Sequence, residues 1–126
     1  MDITKTFTTD KSLENNGVWV DIGGGTKLCV ARMYNDRYNE LLRGAMKPHK
    51  RQVLDSESSL EIMVDVEARS ILIGWEGVTA DDKDVPYSIE TAKEYLHIRD
   101  FRKLVLEIAS SMETYKAQEL EAGEKN

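Results

Sequence analysis

The groups in this 126-residue chain that could do chemistry are one cysteine, two histidines and 23 carboxylate side chains. Nucleophilic catalysis needs a hydroxyl or thiol within reach of a base, and no serine here sits in a nucleophile-elbow sequence. Cys29 lies inside an alternating apolar run with no basic neighbour of the activating kind, and reads as a small buried apolar residue. It cannot form an internal disulfide, and with His49 and His97 it makes a poor metal set. Asp81, Asp82 and Asp84 invite a calcium reading, but the EF-hand order of ligands, glycine and terminal Glu is absent. Gly23-Gly24-Gly25 could cradle a phosphate only if Gly-Lys-Ser/Thr led into a helix; here Gly25-Thr26-Lys27 leads into a strand. The remaining acids fall on helix faces, where carboxylates are solvated, and nothing marks a pair for acid–base work. The expectation is a protein that is not an enzyme, with no cofactor and no metal.

One cluster of charge stands apart. Arg43, Lys47, Lys50 and Arg51, with His49 among them, are basic in a chain whose net charge is −6. Nucleic acid would be one ligand for such a patch, but the surrounding chain is acidic and no aromatic residue lies within the cluster to stack on bases. A solvated face or a docking site for an acidic protein surface is the better reading. Residues 1–51 hold nine Lys/Arg against six Asp/Glu, a net +3, whereas residues 52–126 hold eight against seventeen, a net −9. Two solvated faces account for that asymmetry; self-association driven by opposite charge, and weakened by salt, is the sharper alternative.

The elements that must position these groups follow from periodicity. Val18–Ile22 and Thr26–Ala31 alternate around the three glycines and predict a hairpin with Gly24 at its tip, pairing Val18 with Val30, Trp19 with Cys29, Val20 with Leu28 and Asp21 with Lys27. Such a hairpin must dock on helices or on another chain. A helix is expected from Asp36 to Lys47, capped by Asn35 and stopped by Pro48. A second begins at Asp55 or Ser56; its stripe of Leu60, Met63, Val64, Ala68, Ile71 and Trp75 carries it to a glycine cap at Gly74–Gly77. Trp75 is read first as a core anchor whose indole N–H finds a backbone acceptor, and second as a binding hot spot. Thr79–Pro86 is an acidic loop. Ser88 caps a third helix that ends near His97, and Asp100 caps a fourth in which Phe101, Leu104, Val105, Ile108, Met112 and Tyr115 form one seam.

The fold class expected is therefore α+β, mainly α: one N-terminal β-hairpin packed on about four helices. Residues 1–17 are expected to be a flexible lead-in with a short extended piece at Ile3–Thr8, residues 18–122 a single domain, and residues 123–126 a frayed tail. No apolar run is long enough to span a membrane, and Met1-Asp2-Ile3-Thr4-Lys5 lacks the apolar core of a signal peptide, so a cytosolic site of synthesis is expected.

Three stretches together resemble the tail assembly chaperones of long, non-contractile-tailed bacteriophages. They are Val30-Ala31-Arg32 with Asn35 and Tyr38; Ile73-Gly74-Trp75-Glu76-Gly77-Val78; and Pro86-Tyr87-Ser88 ahead of a Phe/Val/Ala-lined terminal helix. The match runs from about Trp19 to Glu119. Such proteins often carry Asp where this chain has Gly74, and often a Gly in the acidic loop that here reads Asp82-Lys83-Asp84. The resemblance implies a non-enzymatic protein of the host bacterial cytoplasm, absent from the mature virion. It implies a protein that binds the tape measure protein, keeps it soluble and helps bring tail tube protein to it. It also implies the short form of a pair, whose longer partner arises by ribosomal frameshifting, with an extension beginning at Glu121–Asn126. Together with the residue-level reading it nominates Trp19, Arg43, Lys47, Lys50, Arg51, Trp75, Glu76 and Tyr115 as protein-binding residues, without nucleic acid or membrane as partners. The competing expectation is a structural subunit of the phage tail or head–tail junction.

Overall fold

The computed structural model describes residues 1–117. Its order is α1 (Ile3–Phe7), α2 (Lys11–Asn16), β1 (Val18–Gly23), β2 (Thr26–Val30), α3 (Asp36–Met46), α4 (Ser56–Ser70), β3 (Leu72–Glu76), β4 (Thr79–Ala80), β5 (Lys83–Asp84), α5 (Ile89–Leu96) and α6 (Arg99–Ser110). Short 3-10 turns follow α3 at Lys47–His49 and α6 at Met112–Tyr115. The class is α+β and mainly α, as expected.

The hairpin pairs Val18 with Val30, Trp19 with Cys29, Val20 with Leu28 and Asp21 with Lys27, the register read from the alternation. Its loop is one residue shorter than expected. Gly23 still pairs with Thr26 after an irregularity at Ile22, leaving Gly24 (φ +64°) and Gly25 (φ +80°) as a two-residue turn. Positive φ at both central positions matches the right-handed twist of the strands, and glycine supplies it without a Cβ penalty.

The hairpin does not stand alone. The segment expected to extend the second helix to Trp75 is a third strand instead. Helix α4 stops at Ser70, and β3 pairs antiparallel with β2, matching Leu28 with Trp75 and Cys29 with Gly74, in the order β1-β2-β3. Ile71-Leu72-Ile73 is apolar with two β-branched isoleucines, and a strand there meets the otherwise open edge of β2. Leu28, Val30, Ala31, Ile71 and Leu72 are wholly buried, and with Val64, Val66, Ala68, Leu96, Val105 and Ala109 they form the core between sheet and helices.

Three further departures concern the ends of elements. Residues 3–8 are not extended: Asp2 caps α1 and Asp10 caps α2 through hydrogen bonds from following amides, a signal carried by single aspartates. The tie of Asp10 N–H to the Tyr115 carbonyl (2.8 Å) and of Arg32 N–H to the Glu14 carbonyl (2.9 Å) fastens this segment to the domain. Helix α6 starts at Arg99 with Ile98 at its N-cap, so Asp100 lies in the first turn rather than capping. Its seam breaks at the extended Ser111, because Tyr115 turns inward to donate its hydroxyl to the Val30 carbonyl (2.9 Å). The acidic loop folds as the small hairpin β4–β5, with Asp81 (φ +51°) and Asp82 (φ +63°) at its tip. The frayed-tail expectation for residues 123–126, and Leu120 and Ala122 before them, lie outside the described residues.

Candidate functional site

A helix that ends against a strand leaves its last carbonyls without intrahelical donors. At the α4–β3 joint five consecutive carbonyls are met by groups from elsewhere in the chain. The Tyr87 hydroxyl lies 2.9 Å from the Ala68 oxygen and 2.8 Å from that of Leu72. Arg37 Nε donates to Arg69 (3.2 Å), Asn35 Nδ2 to Ser70 (2.9 Å) and the Ala31 amide to Ile71 (2.8 Å). Asn35 also caps α3 by accepting from the Tyr38 amide. Two of the stretches carrying the resemblance supply donors to this joint, through Ala31 and Asn35 and through Tyr87, and the third, Ile73–Val78, continues the chain directly from it.

Trp75 sits beside it, 7% exposed, its Nε1 donating to the Val85 carbonyl (2.8 Å) and its ring edge-on to Tyr87 at 4.9 Å. This is the anchor role. The second role, a surface contact, does not fit a buried indole. Tyr115 is fully buried as well, and burial pushes its phenol well above the usual tyrosine range. Both therefore serve the fold rather than a surface. Glu76 is exposed at the end of β3.

Below the joint, Glu67 on α4 is completely buried and receives both Nε (2.8 Å) and Nη2 (2.6 Å) of Arg102 on α6. A two-pronged guanidinium clamp of this kind joins two helices with fixed geometry. Nothing in the sequence distinguishes Glu67 from its solvated neighbours. Elsewhere Asp65 meets Arg69 (3.0 Å) and Lys93 (3.3 Å); although burial opposes it, these partners hold its carboxyl below the ordinary range. His97 Nε2 lies 2.6 Å from the Glu61 carboxylate, and that hydrogen bond raises its pKa.

Trp19 is half exposed on the outer sheet face, in the cross-strand row Trp19–Cys29–Gly74. Its ring lies 3.5 Å from where a Cβ on Gly74 would stand, an ordinary van der Waals contact, so the indole packs over that position without requiring glycine there. Cys29 beneath is buried, and burial raises its thiol pKa, which disfavours the thiolate.

The basic cluster is where side chains converge on open space. A groove of about 730 Å³ lies at the end of α3 and along the turn after it, lined by Arg43, Lys47 and Lys50 with Glu40, Met46 and His49. Arg51 adjoins the groove in sequence and is not part of its wall. None of these four cations forms an ion pair among the described residues. Met46 (38% exposed) adds an apolar component that charge counting missed. Among the described residues no three His, Cys, Asp or Glu gather as a metal site, and no helix is long and apolar enough to cross a membrane.

Residues 33–126 match the family described as YdaY prophage protein. No curated protein and no solved structure matches the chain.

Proposed function

The chain belongs to the YdaY prophage protein family, a phage-derived group, and from that premise we propose that it is a phage tail assembly chaperone. In this reading it binds the tape measure protein, keeps it soluble and helps recruit tail tube protein, without performing a reaction. It works in the host bacterial cytoplasm, alongside a frameshift-extended form of itself, and leaves before the particle is complete.

The observation that carries the reading is that two of the three resembling stretches donate to the α4–β3 joint and the third leads out of it as β3. Stretches scattered in sequence would match by accident more easily than ones that meet at a single joint of the fold. The surface supports it: Trp19, Met46, Val53, Ile98 and Leu104 are among the exposed apolar side chains. A holder of a long helical client needs several modest contacts that a later partner can displace. A buried catalytic constellation would serve no such purpose.

Co-expression with tape measure fragments tests the proposal. Soluble recovery of the fragments is expected to rise, and purified phage particles are expected to lack this chain. Stoichiometric recovery from mature particles would instead favour a structural subunit of the tail or head–tail junction.

A further inference from the structure

We propose that the α3 groove receives the β4–β5 hairpin of a second copy of this chain. The groove wall carries Arg43, Lys47 and Lys50 against the acid Glu40, and among the described residues none of those three cations forms an ion pair. The hairpin is the complementary object. From Thr79 to Asp84 it presents Asp81, Asp82 and Asp84 with one lysine, with Glu76 at the end of β3 shortly before it, and each of these residues is exposed. Its two-residue strands pair only with each other, so the tip is an outlying finger rather than part of the main sheet.

Asp81 and Asp82 both hold positive φ in the two-residue turn between β4 and β5, and both are exposed, so two neighbouring carboxylates share one narrow tip. A narrow anionic tip entering a cationic groove brings several opposite charges together where solvent is partly excluded, which strengthens each contact over an isolated surface pair. Met46 in the wall supplies an apolar surface for the stem of the finger. The chain's charge division, net +3 before residue 52 and net −9 after it, favours this antipolar approach over long range. The inference does not depend on the chaperone reading: it concerns how copies of this chain meet, whatever client they hold.

Sedimentation velocity of the full chain at several salt concentrations provides the test. Wild type should exceed the 14.3 kDa monomer mass at about 0.05 M salt, its association weakening about tenfold or more by about 0.5 M. Lys47→Glu/Lys50→Glu should be monomeric at low salt, and so should Asp81→Lys/Asp82→Lys. Mixing the two variants should restore association, since the intact acidic hairpin of the first fits the intact basic groove of the second, and the two reversed surfaces are again opposite in charge. Asp81→Asn/Asp82→Asn, which keeps side chains tolerant of positive φ, should also dissociate and separates lost charge from a damaged turn. A wild-type mass that ignores salt, variants that associate as wild type does, or folded variants that stay monomeric when mixed would overturn the proposal.

Discussion

The α4–β3 joint and the α3 groove use polar chemistry in opposite ways. At the joint, five backbone carbonyls, Asn35, Tyr87 and the nearby Glu67–Arg102 pair are all matched within the chain. No buried side-chain nitrogen or oxygen among the described residues lacks a partner. In the groove three cations form no ion pair among the described residues, although Glu40 lines the same wall. Satisfied groups define a unique fold, because breaking any one leaves a costly orphan. Unsatisfied exposed charges contribute little to stability and stay available to a partner. The difference separates residues that hold the molecule together from residues that can act on something else.

Substitutions can break that contrast or sharpen it. Arg102→Met leaves the Glu67 carboxylate buried alone and should lower unfolding free energy by about 3–5 kcal/mol in urea titrations. Asn35→Ala removes the α3 cap together with the donor to Ser70, and about 2 kcal/mol of lost stability is expected from the same measurement. Tyr87→Phe deletes only the hydroxyl shared by Ala68 and Leu72; a loss of about 1–2 kcal/mol should appear as a lower melting temperature.

A smaller effect is expected at His97. Glu61 raises its pKa above 6.5 in the folded chain, so its stabilising contribution is complete below that value and disappears as pH climbs through the raised one. Wild type should therefore lose more stability than His97→Gln between about pH 6 and pH 8, and parallel melting curves for the two would contradict the pairing. Least affected should be Lys47→Ala/Lys50→Ala, which should change stability by no more than about 0.5 kcal/mol. A large loss there would erase the distinction between the two regions.

What could be read from the sequence follows the range of the interaction. The hairpin register was legible residue by residue, since alternation and glycine chemistry are local. So were the caps at Asn35 and Ser88 and the indole bond of Trp75. The stretch Leu60–Trp75 misled because its apolar residues fit a helical stripe as well as a helix followed by a buried strand. What decided it was the edge of β2, more than 40 residues earlier in the chain. The pairing of Glu67 with Arg102 and the capping of the Ser70 carbonyl by Asn35 each join residues 35 apart, and no spacing rule reaches that far. At the candidate groove, the cations were visible as a cluster; Met46 and the cavity itself required the turn of the chain after α3.

The place of β2 between β1 and β3 has a consequence for dissecting this protein. Similarity to the prophage family begins at residue 33, yet Leu28, Val30 and Ala31, each fully buried, precede it. A fragment cut at that point would offer β3 as a naked edge over a half-open interior, and such edges recruit other strands indiscriminately. The stretch that evolution's bookkeeping aligns is thus smaller than the piece that can fold, and any truncation meant to isolate it should retain the hairpin.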